Sequence, residues 1–542
     1  MLPPEIRQGD FQQVCLSWHP EMLRSKTPPE ETPGEALLEI QLKTQNETIA
    51  AVATPPGEGG IAVIRLSGSE AITVAQRLFR PQSKKKDEGN LRARTVYYGR
   101  FIDLGKGDMS GVVINGAVRE EDGEVIDDGL LTLFPAPNSY TGEDVAELSC
   151  HGGRAVTSRL LALLLRCGVS AAQPGEFTLR AFLNGRLDLA QAEAVADIVR
   201  ARTVSAQRLA RRQLDGALSK AVTKCREELI GILAAIEVTI DFSEEVGELV
   251  YAPLQRRVRS VRDDVARLLA TAEHGRMLRE GLRIAIIGRP NVGKSSLLNA
   301  LLRADRAIVT PIAGTTRDLI EENAIIGGLP VVLIDTAGIR ETEDMVESIG
   351  VARARGSIET ADVVLLTLDA SVGITEEDCL LYESLATSET RKIVVLNKCD
   401  TLTSAESESL SAEVKLRMPM LPCLSMSALT GFGLEALEAE MARPALEVSE
   451  GQQSKVTQGI GQSGIGADGW EDVVVSSARH ESALLAAYES LLEAQDTIAQ
   501  EMPGDFIAID VRGALDTLGL ITGETVTDDI IHRIFQDFCV GK

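Results

Sequence analysis

The segment Gly288-Arg289-Pro290-Asn291-Val292-Gly293-Lys294-Ser295 constrains the fold more than any other feature of this sequence. It follows the apolar run 284–287 and precedes the helix-forming residues 296–299. A strand, a G-x-x-x-x-G-K-[ST] loop and a helix in this order are typical of a phosphate-binding loop, in which backbone N–H groups and the helix N-terminus face phosphate oxygens. We therefore predict that Lys294 contacts the outer phosphates of a nucleotide and that Ser295 binds Mg²⁺.

A second motif predicts which base the nucleotide carries. Asn397-Lys398-Cys399-Asp400 follows the apolar run 393–396. Guanine presents its N1–H and its exocyclic amine on one edge, and one carboxylate can accept both hydrogen bonds. Asp400 therefore favours GTP over ATP, and the stem of Lys398 can cover the flat base. Ser427 and Ala428 lie on a later loop that can bring a backbone N–H to guanine O6.

Two more motifs lie between the phosphate loop and the base motif. Asp335-Thr336-Ala337-Gly338 follows the apolar run 331–334, so that Asp335 can organise Mg²⁺ and Gly338 can sense the terminal phosphate. Thr315 and Thr316 lie where a switch loop would bring a second hydroxyl to the metal. In this order the motifs specify a GTPase. Residue 339 is Ile, however, where Ras-like GTPases have a water-orienting Gln, so either hydrolysis is slow or the polar group comes from elsewhere.

Helical periodicity on both sides of the nucleotide motifs predicts a single bundle. Leu218, Val222, Cys225, Leu229, Ile232 and Ile236 recur at helical spacing, and Leu484, Tyr488, Leu491 and Ile498 form a similar stripe near the end of the chain. The two stripes can bury against each other, with the nucleotide domain inserted between them. Within that insertion, apolar runs alternate with helical patterns, which predicts a parallel sheet covered by helices.

We predict a multidomain protein of mixed α/β and α+β class. Its parts are an N-terminal α+β domain, a discontinuous helical bundle and an inserted Ras-like P-loop domain. The predicted segments are a flexible extension at 1–46, the N-terminal domain at 47–170, the first helical part at 171–280, the GTPase domain at 281–443, and a linker with the second helical part at 444–542. Residues 451–469, rich in Gly, Gln and Ser, are predicted to be a flexible connector.

The charge of the chain limits its possible partners. Its 542 residues include 55 basic and 80 acidic side chains, which give a formal net charge of −25. A negative net charge of this size does not suit a protein that binds nucleic acid along its whole length. Any RNA contact must therefore use a local basic patch or a partner protein. The run Lys84-Lys85-Lys86 is better explained as a solvated loop. Without an apolar run of ~18 residues or a signal peptide, the sequence predicts an intracellular, soluble protein without membrane contact.

From about residue 47 to its last residue, the chain resembles the MnmE (TrmE) family of tRNA-modification GTPases, and it looks closest to cyanobacterial and plastid members. The resemblance is carried by several separate motifs outside the GTPase domain. These are Thr54-Pro55-Pro56-Gly57-Glu58-Gly59-Gly60, Tyr140-Thr141-Gly142-Glu143-Asp144, Cys150-His151-Gly152-Gly153, Pro174-Gly175-Glu176-Phe177-Thr178, Arg180-Ala181-Phe182-Leu183-Asn184-Gly185-Arg186 and the terminal Phe538-Cys539-Val540-Gly541-Lys542.

The resemblance implies an explanation for the missing glutamine. In this family K⁺ takes the place of an arginine finger, and GTP is hydrolysed when the G domains of a homodimer meet. The matching positions give Glu347 as the water-activating residue and Thr316 as the second Mg²⁺ ligand. The K⁺ ligands match Asn291, Thr310, Ile312 and Thr315. The full set of expected GTP-binding positions is Gly288, Asn291, Val292, Gly293, Lys294, Ser295, Ser296, Thr310, Pro311, Ile312, Ala313, Gly314, Thr315, Thr316, Asp335, Thr336, Ala337, Gly338, Asn397, Lys398, Asp400, Ser427 and Ala428.

The resemblance also implies a folate site and a partner protein. A reduced folate, 5-formyl- or 5,10-methylene-tetrahydrofolate, would bind Arg65, Glu147, Arg186 and Lys542, although Arg65 and Glu147 could simply pair with neighbouring side chains. The implied reaction installs aminomethyl or carboxymethylaminomethyl groups at C5 of wobble uridines. It requires the FAD-containing protein MnmG, in a heterotetramer, and this partner makes much of the tRNA contact. The implied location is the cytoplasm, or the plastid stroma or mitochondrial matrix for a nuclear-encoded protein.

A ribosome-assembly GTPase of the Era or Der kind is the competing interpretation. Such a protein is a binding switch without modification chemistry, and its GTPase motifs are the same. The flanks of the GTPase domain distinguish the two classes, because ribosome-assembly factors have an RNA-binding module after that domain. A helical bundle that surrounds the domain favours the modification enzyme.

Overall fold

The computed structural model describes residues 47–82, 91–105, 123–304, 321–335, 361–385, 390–419, 421–443, 473–536 and 538–542. The predicted extension at 1–46, the connector at 451–469 and the lysine run at 84–86 lie outside the described residues. Within the described ranges, no helix has an apolar stretch long enough to cross a lipid bilayer.

The N-terminal part of the chain forms a seven-stranded sheet in the order β3-β4-β5-β6-β2-β1-β7. Neighbouring strands are antiparallel except β1 and β7, which are parallel. Helices α1 and α2 contribute buried residues to the same core as the sheet, which explains the alternation of buried and exposed residues along β2 and β6. The elements are β1 (Ile49–Val52), β2 (Gly59–Ser67), α1 (Ala71–Leu78), β3 (Phe79–Pro81), β4 (Val96–Asp103), β5 (Glu124–Phe134), β6 (Val145–Gly152), α2 (Arg154–Arg166) and β7 (Ser170–Ala171).

A helical bundle is built from two distant parts of the chain. One core contains Val222, Leu229 and Ile236 from the first part together with Leu484 and Leu491 from the second, and so confirms the predicted discontinuous bundle. The helices of the first part are α3 (Glu176–Leu183), α4 (Leu189–Arg200), α5 (Val204–Leu214), α6 (Ala217–Asp241), α7 (Ser243–Val246), α8 (Tyr251–Leu269) and α9 (Ala272–Glu280). Those of the second part are α14 (Ala478–Ala499), α15 (Gly504–Thr522) and α16 (Asp528–Gln536).

The segment between these helices forms a six-stranded sheet in the order β13-β12-β11-β8-β10-β9. Its elements are β8 (Leu282–Ile287), α10 (Lys294–Ala304), β9 (Glu321–Ile326), β10 (Leu329–Asp335), β11 (Val363–Asp369), α11 (Glu376–Leu385), β12 (Arg391–Asn397), α12 (Ser404–Arg417), β13 (Cys423–Ser425) and α13 (434–443). Separate apolar cores lie on its two faces, so the central strand β11 is buried along its whole length.

One edge of this sheet differs from the parallel arrangement that the sequence predicts. Strand β9 pairs antiparallel with β10. The two strands are joined by Gly327 and Gly328, whose φ angles of 59° and 79° match the tight hairpin turn that needs two left-handed residues. The Gly-Gly pair between two apolar runs was the sequence signal for this hairpin.

The remaining pairings determine where functional residues meet. Strands β8, β10, β11 and β12 are mutually parallel in the sheet. Their carboxyl ends therefore share one edge, at which Asp335, Asp369 and Asn397 are terminal strand residues and Gly288 follows β8. Ligands of open α/β sheets bind outside this edge.

Candidate functional site

The phosphate loop has a backbone that requires glycine at two positions. Gly288 and Gly293 have φ angles of 150° and 96°. A Cβ atom on Gly288 would lie 2.3 Å from the carbonyl oxygen of Thr367, and one on Gly293 would lie 2.3 Å from Nδ2 of Asn397. Both the conformation and the close approach of neighbouring strands therefore exclude a side chain. Asn291 is also left-handed, at φ 64°, and its side chain is exposed.

Lys294 lies over the loop that it follows. Its ammonium nitrogen donates hydrogen bonds of 2.8 Å to the carbonyl oxygens of both Gly288 and Arg289. Lys294 is the first residue of α10, and Ser295 and Ser296 are exposed in the first turn of that helix. The hydroxyl groups of these two serines and the helix N-terminus therefore lie beside the loop, as phosphate binding requires.

Asn397 connects the phosphate loop to the predicted guanine-binding loop. Its side-chain nitrogen donates a 2.9 Å hydrogen bond to the carbonyl oxygen of Val292, and its side-chain oxygen accepts a 3.0 Å bond from the backbone N–H of Ala428. Ser427 is buried, and its hydroxyl oxygen accepts a 3.2 Å bond from the backbone N–H of Thr430. Asn397 thus orders two loops that are far apart in the sequence.

Lys398 has a carboxylate partner that the sequence analysis did not identify. Its ammonium group donates a 2.6 Å bond to Asp369 and a 2.8 Å bond to the carbonyl oxygen of Asn291. Burial would raise the pKa of Asp369, but hydrogen bonds from Lys398 and Ser371 outweigh it, so the pKa is lowered. The sequence feature that could have indicated Asp369 as a site residue is its position directly after an apolar run, which ends at the same sheet edge.

The remaining GTP-site predictions fall into two groups. Asp400 lies in the short 3₁₀ turn Cys399–Thr401, and its side chain is exposed at the site edge. Asp335 is the last residue of β10, paired in register with Ile286 of β8. The exposed Ser295 hydroxyl is a hard oxygen donor of the kind that suits Mg²⁺. The predicted positions outside the described residues are Thr310, Pro311, Ile312, Ala313, Gly314, Thr315, Thr316, Thr336, Ala337, Gly338 and Glu347.

Arg65 and Glu147, two of the predicted folate ligands, contact each other directly. They are opposite residues on the antiparallel strands β2 and β6, and the Arg65 guanidinium donates bonds of 3.0 and 2.8 Å to one carboxylate oxygen of Glu147. Both side chains are partly exposed. The Arg65 guanidinium carbon lies 5.5 Å from the ring centre of Tyr140 and 5.8 Å from that of Phe177. Neither aromatic residue was assigned a role from the sequence, although both lie within the motifs that carry the resemblance.

The end of the chain returns to this cluster. Gly541 has φ 94°, and a Cβ on it would lie 2.6 Å from the carbonyl oxygen of Val52 in β1. Val52 pairs with Ile64, the residue before Arg65, so the last residue of the chain lies near Arg65. Burial, and after it the charge of Arg65, lowers the pKa of Lys542. Arg186 is exposed one loop away, where its Cγ lies 3.3 Å from the position of a Cβ on Gly142. The fold thus brings three of the four predicted ligands together and places the fourth on an adjoining loop.

A buried arginine organises the base of the same site. The Arg180 side chain is 1% exposed and forms ion pairs with Glu143, at 3.2 Å, and Glu176, at 2.8 Å. Glu143 also accepts a 2.7 Å bond from Ser67. Because Glu143 belongs to the motif that contains Tyr140 and Glu176 precedes Phe177, Arg180 ties together the two segments whose rings flank Arg65.

Known proteins and family models match this chain over nearly its whole length. Residues 48–186 match the family model for the GTP-binding protein TrmE N-terminus, and residues 189–539 match the model for the MnmE helical domain. The tRNA modification GTPase MnmE of Moorella thermoacetica is 46% identical over 497 residues, covering 92% of this chain and 100% of that protein. The protein of the same name from Clostridioides difficile is 42% identical over 498 residues, covering 92% of this chain and 99% of that protein.

These matches decide between the two classes that share the GTPase motifs. The helical family model includes both flanks of the nucleotide-binding sheet, which is the part of the chain in which a ribosome-assembly GTPase would differ. The Era-like or Der-like alternative is therefore not favoured. With relatives above 40% identity along almost their full length, this chain belongs to the MnmE family of tRNA modification GTPases.

Proposed function

We propose that this protein hydrolyses GTP as part of the modification of C5 in the wobble uridine of tRNA. The products are aminomethyl or carboxymethylaminomethyl uridine, made with an FAD-containing MnmG-type partner and a reduced folate as the one-carbon donor. The observation that carries the proposal is the presence of two sites in one chain. In the first site, Asn397 links a phosphate loop to a guanine-binding loop. In the second, Arg65 and Glu147 pair on a separate sheet, and Lys542 lies near them.

In the GTP site, each described side chain has a distinct proposed role. The backbone N–H groups around Gly293 bind the phosphates, and the Lys294 ammonium group transfers its hydrogen bonds from loop carbonyls to the outer phosphates. Asp400 accepts the two guanine donors while Lys398, held by Asp369, covers the base. Polar contacts within the folded protein already hold most of these groups in place, so GTP binding does not have to order them.

The proposed metal ligands are those that the family resemblance implies. Ser295, Thr316 and Asp335 would hold Mg²⁺, and Asn291 with Thr310, Ile312 and Thr315 would hold K⁺. The exposed side-chain amide of Asn291 provides the kind of neutral oxygen ligand that suits an alkali ion. Bound cations supply positive charge that offsets the negative charge developing on the phosphates. Glu347 orients the attacking water, in place of the missing glutamine, when two G domains of a homodimer meet.

The N-terminal cluster suits a reduced folate. A carboxylate such as Glu147 can accept hydrogen bonds from the amino-pyrimidine edge of a pterin, and Arg65, Arg186 and Lys542 can pair with carboxylate tails. The rings of Tyr140 and Phe177 provide flat apolar surfaces beside Arg65. We assign this role to the domain at 47–170, the helical scaffold to 171–280 and 444–542, and GTP hydrolysis to 281–443.

Mass spectrometry of tRNA digests from a deletion strain tests the proposal directly. We expect C5-modified wobble uridines to disappear and to return with the wild-type gene, but not with Lys294→Ala or Glu147→Ala. Modified nucleosides elsewhere in the same tRNAs serve as the internal control and should not change. An unchanged wobble nucleoside in the deletion strain would contradict the proposed function.

A further inference from the structure

Residues 200–224 have a charge opposite to that of the whole chain. This stretch contains seven cationic side chains and one carboxylate, whereas the net charge of the protein is −25. A strongly acidic protein repels nucleic acid over most of its surface. Any direct contact with a phosphate backbone must therefore use a local concentration of Arg and Lys.

The structure places these cations on the outside of two consecutive helices. Helix α5 buries Ala206, Leu209, Ala210 and Gln213, and so its remaining face points to solvent. We define the basic face by six exposed residues on this side of the molecule: Arg202, Arg208, Arg211, Arg212, Lys220 and Lys224. Arg202 precedes α5, and the two lysines lie in the first turns of α6.

Part of this positive charge is not neutralised by carboxylates of the described residues. Asp215, the one carboxylate of the stretch, pairs with Arg211 at 2.7 Å. Lys220 donates to the backbone carbonyl of Asp215 at 3.4 Å rather than to its carboxylate. Neither Arg202 nor Arg208 forms an ion pair with a carboxylate in the described part of the chain. Asp188, Asp215 and Glu227 line the same surface hollow as Lys220 and Lys224, so Arg202 and Arg208 are the cations that carry the argument.

The basic face extends from the helices that follow Arg186 to the β9–β10 hairpin, at the end of the nucleotide-binding sheet opposite to the GTP site. At the end of α5, the Gln191 side chain of α4 donates a 2.9 Å bond to the carbonyl oxygen of Leu214, and α4 begins shortly after Arg186. At its start, the hydroxyl of Ser205 donates a 3.2 Å bond to the carbonyl oxygen of Gly328, in the hairpin of the nucleotide-binding sheet. Eleven helical residues span about 16 Å, a length that presents several cations in a row.

We propose that the basic face binds the sugar–phosphate backbone of tRNA and directs the substrate toward the cluster at Arg65 and Glu147. This inference rests on the proposed function, since it names a contact of the same substrate. Arg and Lys contacts to phosphates position a nucleic acid without reading its sequence, and each contact releases condensed counterions. The protein then makes part of the tRNA contact itself and does not depend wholly on its partner for it.

The test compares two neutralised variants of the full-length protein. Arg202→Gln with Arg208→Gln removes two cations of the basic face. Arg256→Gln with Arg259→Gln removes two exposed arginines of α8, in the same bundle, with the same change in net charge. Fluorescence anisotropy with a labelled, unmodified tRNA transcript at several KCl concentrations gives the affinity and its salt dependence, and GTP hydrolysis reports whether each variant is folded.

We expect the basic-face variant to bind tRNA roughly ten-fold more weakly at moderate salt, with the slope of log K against log salt reduced by about one to two. The α8 variant should stay within about two-fold of wild type. Equal losses in both variants, or no tRNA binding by the wild-type chain at low salt, would overturn the proposal.

A second arm separates RNA from other anionic partners. Vesicles of phosphatidylglycerol replace the tRNA in the same assay, and a loss of vesicle binding without a loss of tRNA binding would assign the face to lipid and overturn the proposal. The measured tRNA affinity does not depend on the modification chemistry. If wobble uridines prove normal in a deletion strain while tRNA affinity still depends on the basic face, the proposed function fails and this inference stands.

Discussion

The side-chain nitrogen of Asn397 donates a 2.9 Å hydrogen bond to the carbonyl oxygen of Val292, and this bond joins the phosphate loop to the end of β12. The oxygen of the same amide accepts from the backbone N–H of Ala428. The residue is only 2% exposed, so water cannot readily replace either bond. The phosphate loop and the predicted guanine-binding loop are therefore fixed relative to each other by one side chain.

Asn397→Ala should weaken nucleotide binding by about ten-fold or more. The substitution leaves the carbonyl of buried Val292 and the N–H of half-buried Ala428 without these partners, at a cost of about 1–3 kcal/mol for each unsatisfied group. Equilibrium binding of a fluorescent GDP analogue measures the effect. Asn397→Asp is the matched variant: it keeps the acceptor for Ala428 but replaces the donor to Val292 with a carboxylate oxygen, so it too should bind weakly. Wild-type affinity in both variants would show that the bond does not order the site.

Asp400→Asn should change the preferred base from guanine to xanthine. Two hydrogen bonds from guanine to a carboxylate contribute about 1.5–3 kcal/mol each, so their loss should lower GTP affinity by roughly 100-fold or more. Xanthine has a carbonyl in place of the exocyclic amine, and the new amide can donate to it. Competition between GTP and xanthosine triphosphate measures the change, with ATP as the control nucleotide. A variant that still prefers GTP over xanthosine triphosphate would remove the assigned role of Asp400.

Hydrolysis should depend on K⁺ and on Glu347. Replacing KCl with NaCl at the same ionic strength should slow GTP turnover by about ten-fold or more, because the smaller ion fits the same oxygen ligands poorly. Glu347→Ala should lower kcat by roughly 100-fold or more, the usual contribution of a positioned general base, with GTP affinity nearly unchanged. Glu347→Gln, which keeps the shape but is a weaker acceptor, should retain intermediate activity. Equal rates in the two salts would exclude the cation as a catalytic element.

Arg180→Met should destabilise the N-terminal site by about 3–5 kcal/mol, because Glu143 and Glu176 lose their common buried counter-ion. Hydrogen-exchange mass spectrometry of peptides covering 173–185 reports the local stability.

Arg166→Met is the control for this prediction, because the Arg166 side chain is 51% exposed in its pair with Asp103 and should contribute only about 0–1 kcal/mol. If the two substitutions have equal effects, burial of the Arg180 pair does not determine its strength.

The sequence alone was sufficient where the chemistry depends on adjacent residues. The phosphate loop, the base motif and the two helical stripes are each encoded within a short stretch, because backbone conformation and helical periodicity are local properties. The fold class followed from the same patterns. The direction of strand β9 was predicted wrongly although its Gly-Gly turn is local, because an apolar run by itself does not indicate whether a strand pairs parallel or antiparallel.

Tertiary structure decided the features that depend on register and on distant packing. Arg65 and Glu147 meet because β2 and β6 pair with those two residues opposite each other, 82 positions apart in the chain. Likewise, Lys398 finds Asp369 only when two parallel strands end at one edge, and Lys542 reaches Arg65 only because the final residues return to β1. Strand register is set by burial of a whole sheet face, so no local pattern contains these contacts.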